Sequence, residues 1–197
     1  MDKRLAVFDF DGTLIAGDSL IAFARHAAGT RRLILALLRS AGAIIRWKLG
    51  MSSGGAAKEI LFGHIFGGMD YTRFKDLGEA FASEVTAMER EDVAERLRGF
   101  VRDGVPVAIV TASMPEWVLP WARRQGVATV IGTLPATDGN GRLTGRFATP
   151  NCRDAEKVRR LREVFPDLAE REVWAFGDSD GDIPLLECST HPVWVKR

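Results

Sequence analysis

The 197-residue sequence predicts an α/β fold: a parallel sheet covered by helices on both faces, with a helical segment inserted early in the chain. Three observations carry this. Short apolar runs stop abruptly at polar, glycine-containing turns; amphipathic helical patterns separate those runs; and a long helix-patterned stretch lies between the first run and the second.

The first run, residues 5–8, ends at Asp9-Phe10-Asp11-Gly12 and reads as a buried strand closing in a polar turn. Residues 105–110 repeat that grammar, breaking into Thr111-Ala112-Ser113, and residues 173–176 break into Gly177-Asp178-Ser179-Asp180-Gly181-Asp182. Helices are expected near 92–102, 115–125 and 154–164, the last charged along one side. Residues 127–147 read as a strand followed by a β-hairpin, with Asp138-Gly139-Asn140-Gly141 as its turn and the hairpin as decoration; a last short strand covers 192–195. In open parallel sheets ligands bind outside the carboxyl ends of the strands, so the three polar breaks should converge there. The expected division is a Rossmann-like three-layer core from 1–16 and 96–197, with the hairpin at about 130–147, and a helical cap at 17–95.

Composition agrees with a globular chain, at 46% hydrophobic and 27% charged residues. A net charge of +1 gives no global reason to expect a nucleic-acid partner. Cys152 and Cys188 have neither paired nor metal-ligand spacing and are read as reduced thiols. The apolar run at the start is too short for a signal segment, and residues 33–49 are broken by Arg39, Arg46 and Lys48; the expected location is cytoplasmic.

The polar breaks carry the chemistry. Asp9 and Asp11 are two apart at a strand end, so both carboxylates can face the crevice while Phe10 enters the core. Asp178 and Asp182 add negative charge, and four carboxylates gathered closely repel unless a hard cation neutralises them, for which oxygen ligands favour Mg²⁺. Thr111 offers a hydroxyl beside a helix start, with Ser113 as a competitor for the same role, and Lys157 adds a compact positive charge. These are the parts that hold a phosphoryl group: a nucleophilic carboxylate, a divalent cation and donors for the equatorial oxygens. The plainer alternatives are that Asp-Gly after a strand is a common turn, and that Arg153, Lys157, Arg159 and Arg160 form a solvated helix face. Asp180 is read as a turn or capping residue, and His26, His64 and His191 show no metal spacing.

The ordered set Asp-Phe-Asp-Gly-Thr-Leu, Ala-Ile-Val-Thr-Ala-Ser, Lys157 and Gly-Asp-Ser-Asp-Gly-Asp resembles the four motifs of the haloacid dehalogenase superfamily, spread over most of the chain. The resemblance implies an Mg²⁺-dependent phosphomonoester hydrolase with Asp9 as nucleophile. Asp11 would be the acid that protonates the leaving alcohol and later activates water. Thr111 and Lys157 would hold the phosphoryl group, with Gly12, Asp18 and Ala112 at the substrate. Asp9, Asp11 (through its backbone carbonyl), Asp178 and Asp182 would surround the metal. Asp at position 11 is the mark of the phosphatases in that superfamily. The resemblance also implies a chain continuing past the strand at Val193.

An insertion after the first motif is similar to the helical cap of the phosphoserine phosphatase-like subfamily. Asp18 falls where phosphoserine phosphatases carry a glutamate that meets the substrate amine, but their arginine motif is not recognisable. The segment around the hairpin is similar to a branch that includes phosphatases of small phosphomonoesters and of lipid phosphates.

From Ser19 to Lys58 there is no Asp or Glu. On a helix over 31–49, Leu33, Ile34, Leu37, Leu38, Ala41, Ile44 and Ile45 share one face, and Arg32, Arg39 and Arg46 stripe the other. Two readings follow: a cap helix packing its apolar face inward, or a peripheral contact with the inner face of a membrane that brings a lipid phosphate, such as phosphatidylglycerol phosphate, to the site. A rival of another class is a non-catalytic, phospho-accepting receiver domain. Receivers place the phosphorylated Asp on a later strand and have no inserted cap, which counts against that reading.

Overall fold

The computed structural model describes residues 3–196. Five parallel strands form one sheet in the order β3-β2-β1-β6-β7: β1 (Arg4–Phe8), β2 (Val107–Val110), β3 (Thr129–Ile131), β6 (Glu172–Gly177) and β7 (His191–Trp194). Leu5, Val7, Ala108 and Val110 point into one buried layer and Ala6, Phe8 and Ile109 into another. That two-sided burial is why these strands read as continuous apolar runs. Helices α4 (Glu91–Arg102), α5 (Pro115–Arg124) and α6 (Ala155–Val164) fall where the periodicity predicts, and α7 (Ile183–Glu187), not expected from the sequence, joins them in alternating with the strands. The fold is α/β with a doubly covered parallel sheet.

Between β1 and α4 lie α1 (Ser19–Lys48), α2 (Gly54–Phe66) and α3 (Tyr71–Ala87). The chain leaves and rejoins the sheet side by side, with Ala16 N–H donating to Met88 O at 2.8 Å and Arg90 N–H to Leu14 O at 2.9 Å. These helices share a core with α5. Phe23 stacks on Trp117 with centroids 4.8 Å apart and meets Phe66, Phe74 and Phe81. Helix α3 approaches α5 so closely at Gly78 that a Cβ there would fall on the Glu116 carbonyl.

The hairpin, β4 (Pro135–Thr137) with β5 (Leu143–Phe147), corrects one expectation. It follows β3 in the chain and braces the inserted helices. Gly68 N–H donates to Leu143 O and Leu143 N–H to Met69 O, each at 2.8 Å, and Tyr71 N–H donates to Gly141 O at 2.9 Å. Phe147 N–H donates to the Glu59 carboxylate at 2.8 Å. Backbone groups at the α2–α3 corner need partners, and a hairpin edge supplies them.

A second correction concerns residues 31–49. Helix α1 is interrupted at Gly29, with φ 78° and ψ 159°, and its second half buries Leu33, Ala36 and Ser40. Leu37 and Ile44 are half-buried. Ile34, Leu38 and Ile45, expected on one packing face with Leu33, are 51%, 68% and 57% exposed. The helix therefore has three faces: one packed, one basic, and one apolar that no other described residue covers. No helix among the described residues is long and apolar enough to cross a membrane.

Candidate active site

Register brings the site together. Phe8 pairs with Ile109 on one side and Phe176 on the other, so Asp9, Thr111 and Asp178 emerge from three adjacent strand ends. Oxygens of Asp9, Asp178 and Asp182 lie within 4.8 Å of one another, all three residues being buried. Lys157, in the first turn of α6 and 2% exposed, donates to Asp9 Oδ1 and Asp182 Oδ1 at 2.6 Å each. Asp182 Oδ2 accepts from Ser179 Oγ at 2.8 Å and Ser179 N–H at 3.0 Å, closing a capping box. Asp178 Oδ1 accepts from Thr13 Oγ1 at 2.8 Å. Gly12, at φ +83°, makes room, since a Cβ there would fall on the Asp178 carboxylate.

The electrostatics follow from burial. Burial pushes the Asp9 carboxyl up to about 7, with Lys157 opposing and Asp182 reinforcing the shift. Burial works to lower the Lys157 pKa, but Asp9 and Asp182 outweigh it and hold the ammonium protonated. Burial likewise works to raise Asp182, and Lys157 and Ser179 together keep it below the usual carboxylate range. Three carboxylates around one ammonium leave excess negative charge on buried side chains. All the neighbouring ligand atoms are hard oxygens, which is the donor set that suits Mg²⁺.

Asp11 is the fourth carboxylate in the sequence, but its side chain is not in this cluster. Its Oδ1 accepts from Ser19 N–H at 2.6 Å and its Oδ2 from Ser113 Oγ at 2.5 Å. Behind them, the oxygens of Ser19 and Ser113 are 2.9 Å apart, and Trp117 Nε1 donates to Ser19 Oγ at 3.0 Å. With Asp11 ionised, Ser113 gives its single hydroxyl hydrogen to Asp11, so Ser19 is the donor to Ser113, and the indole N–H, which can only donate, begins the chain. Burial raises the Asp11 pKa, assisted by Asp18, while Lys58 and the two serine contacts pull it back.

A cavity of about 690 Å³ opens over these groups and is lined by Asp9, Asp11, Thr111, Lys157, Asp178 and Asp182 among others. Thr111 faces it; Ser113 does not line it, its hydroxyl being committed to Asp11. Ala112 borders the cavity, but its carbonyl accepts from Lys58 Nζ at 2.9 Å and Thr133 Oγ1 at 2.8 Å. Gly12, expected at the substrate, lies outside this lining. Its N–H donates to Ile15 O and its carbonyl accepts from Arg90, each at 2.9 Å, so its contribution is steric. Asp18 lines the cavity and caps α1 by accepting from Ile21 N–H at 3.2 Å. Asp180 sits in the first turn of a short 3₁₀ helix whose cap is Ser179, so Asp180 is a turn residue but not the cap.

His26 pairs with Glu84 and His191 with Glu172, away from the carboxylate cluster, and both cysteines are free thiols. Reading the sequence missed Ser19 and Lys58 at the site, as well as Asp154. Asp154 takes φ +54° immediately before α6, the helix that carries Lys157, a costly conformation for a residue with a side chain.

Comparison with known proteins places this geometry. Residues 6–187 match the family of haloacid dehalogenase-like hydrolases. Protein CicA of Caulobacter vibrioides is 37% identical over 187 residues, covering 94% of this chain and 82% of that protein. Phosphoserine phosphatase SerB1 of Mycobacterium tuberculosis is 28% identical over 189 residues, covering 92% of this chain and 61% of that one. A crystal structure of a protein from Bordetella pertussis Tohama I superposes with a TM-score of 0.81 at 28% identity, covering 98% of this chain and 90% of that one.

Proposed function

The chain belongs to the haloacid dehalogenase-like hydrolase family, and from that premise we propose that it is a phosphatase that hydrolyses phosphomonoesters through an aspartyl-phosphate on Asp9. The observation that carries the reading is the meeting of Asp9, Asp178 and Asp182 within 4.8 Å, with Lys157 bridging the first and last.

Asp9, Asp178 and Asp182, with the Asp11 backbone carbonyl, would hold Mg²⁺, which when bound would neutralise charge on the phosphoryl oxygens. Asp9 attacks phosphorus; the bond to the ester oxygen breaks as Asp11 passes its proton to the leaving alkoxide. Asp11, now a carboxylate, takes a proton from the water that attacks the aspartyl-phosphate, freeing inorganic phosphate and restoring Asp9. A carboxyl whose pKa burial has raised suits the first of these roles. Thr111 and Lys157 supply donors to the equatorial oxygens, and Lys157 also fixes the Asp9 rotamer. A receiver-type domain would leave Asp11 without such a task.

The test is a panel of phosphate esters with and without Mg²⁺, comparing wild type with Asp9→Asn. The variant should fold and lose at least about 10,000-fold in turnover; normal turnover by it would sink the mechanism.

A second reading, docking on an anionic lipid surface to reach a lipid phosphate, is favoured by the uncovered stripe of Ile34, Leu38, Ile45 and Leu49, each more than half exposed. Arg31, Arg32, Arg39 and Arg46 flank it, all exposed. A second copy of the chain would oppose arginine to arginine, whereas anionic lipid complements both faces. The protein should sediment with anionic vesicles at low salt and release at high salt, and Ile34→Ser with Leu38→Ser should weaken it. Absence of binding at low salt would rule this out.

A further inference from the structure

The cavity over the carboxylates has two walls of opposite character. One is the polar wall, with Asp9, Thr111, Arg153, Lys157 and Asp178. The other is formed by α1 and α2 and presents Leu20, Leu37, Ile44, Trp47 and Leu61. Only two charged residues belong to that second wall among the described residues, and both have local tasks. Lys58 Nζ donates to Ala112 O at 2.9 Å, which draws it toward the strand ends. The Asp18 carboxylate caps the first turn of α1. An amino-acid ester needs a partner for its ammonium and another for its carboxylate at the leaving-group end, since a charge moved out of water unpaired is costly. Leu37, Ile44 and Trp47 offer no such partner, and what they present is hydrocarbon.

Trp47 remains 43% exposed, and Leu37 and Ile44 are half-buried. Side chains of this kind stay wet without a ligand, and covering them is favourable in proportion to the apolar area removed from water. They come from the same helix as the outward stripe but from a different face, so their position over the site is a separate observation. A volume of about 690 Å³ exceeds what a bare phosphoryl group fills and lies in the range of sites that enclose a small organic ligand.

Resting on the phosphatase reading above, we propose that the site selects phosphomonoesters of apolar alcohols, whose alkyl or aryl portion lies against Leu37, Ile44 and Trp47, over amino-acid esters such as phosphoserine. Each buried methylene should then improve recognition by about fourfold until the wall is covered.

The experiment measures kcat/KM for a series of n-alkyl phosphates from methyl to hexyl, and for phosphoserine, in wild type and in Ile44→Asp. In parallel, calorimetry measures binding of the matching n-alkylphosphonates, which need no turnover. The expected result is a rate constant and an affinity that both climb with chain length. Ile44→Asp should lower the hexyl value at least tenfold more than the methyl value. A flat series in wild type, or a preference for phosphoserine over butyl phosphate, would overturn the proposal while leaving the phosphatase reading intact. If no ester is turned over with Mg²⁺, the phosphatase reading fails instead, and the phosphonate series still decides whether the wall binds hydrocarbon. Should Ile44→Asp fail to fold, the wild-type series and Trp47→Ala decide between the same two outcomes.

Discussion

The cleft at the strand ends and the second half of α1 treat difficult groups in opposite ways. In the cleft, Lys157, Asp9 and Asp182 are 2%, 6% and 1% exposed, and each is held by a charge-assisted partner. Along α1, Leu38 and Leu49 are each 68% exposed, and nothing among the described residues covers them. Buried charge without partners costs several kcal/mol, so the cleft has to complete its own network inside the fold. Exposed leucine costs far less, so a helix face can be left to be completed by something outside. The difference separates buried charges, which find partners within the fold, from an apolar face, which is left open.

The largest effect that would sharpen this contrast comes from Asp11. Asp11→Asn should lower kcat/KM, which reports formation of the aspartyl-phosphate and not its hydrolysis, by roughly 100- to 10,000-fold on alkyl esters, which need a proton delivered, and much less on 4-nitrophenyl phosphate, whose leaving group does not. Ser113→Ala should act in the same direction at about tenfold, with Ser113→Thr restoring most of it. Equal losses on both esters would mean that the serine chain supports packing and not proton transfer.

Next in size is metal-linked stability. At a hundred times its dissociation constant, Mg²⁺ should stabilise the protein by about 2.7 kcal/mol, seen as a melting temperature raised by roughly 5–10 °C. The sign of its pH dependence follows from Asp9. Its carboxyl, raised to about 7 by burial, holds a proton below that pH, and the cation has to displace it. The thermal shift should therefore be larger at pH 8 than at pH 5; an equal shift at both would place the ion elsewhere.

The smallest effect belongs to the other region. Leu38→Ser should change unfolding free energy in urea by no more than about 0.5 kcal/mol, because the side chain makes no buried contact to lose. A loss of about 2 kcal/mol or more, the scale of a buried leucine, would show that this face is covered after all, and would remove the contrast between the two regions.

The sequence alone determined the parallel sheet and the four acidic positions. Apolar runs that break into Asp, Thr and Gly are a local signal, since a buried strand has to end where its backbone and side chains meet water. It also determined that Asp9 and Asp11 sit two apart with Phe10 facing inward, because alternation along a strand is a property of two neighbouring residues.

Only tertiary structure decided that Asp11 turns from the metal cluster toward Ser19 and Ser113. Hydroxyls are too common along a chain for the sequence to say which will meet. It also decided that the hairpin braces α2 and α3, since that depends on backbone groups far apart in sequence. Along α1, periodicity revealed apolar and basic stripes, but whether Leu33 or Leu38 would be buried depended on where α2 lies. A helix carries its pattern in its own residues, whereas the choice of which stripe to cover belongs to the neighbour that packs against it.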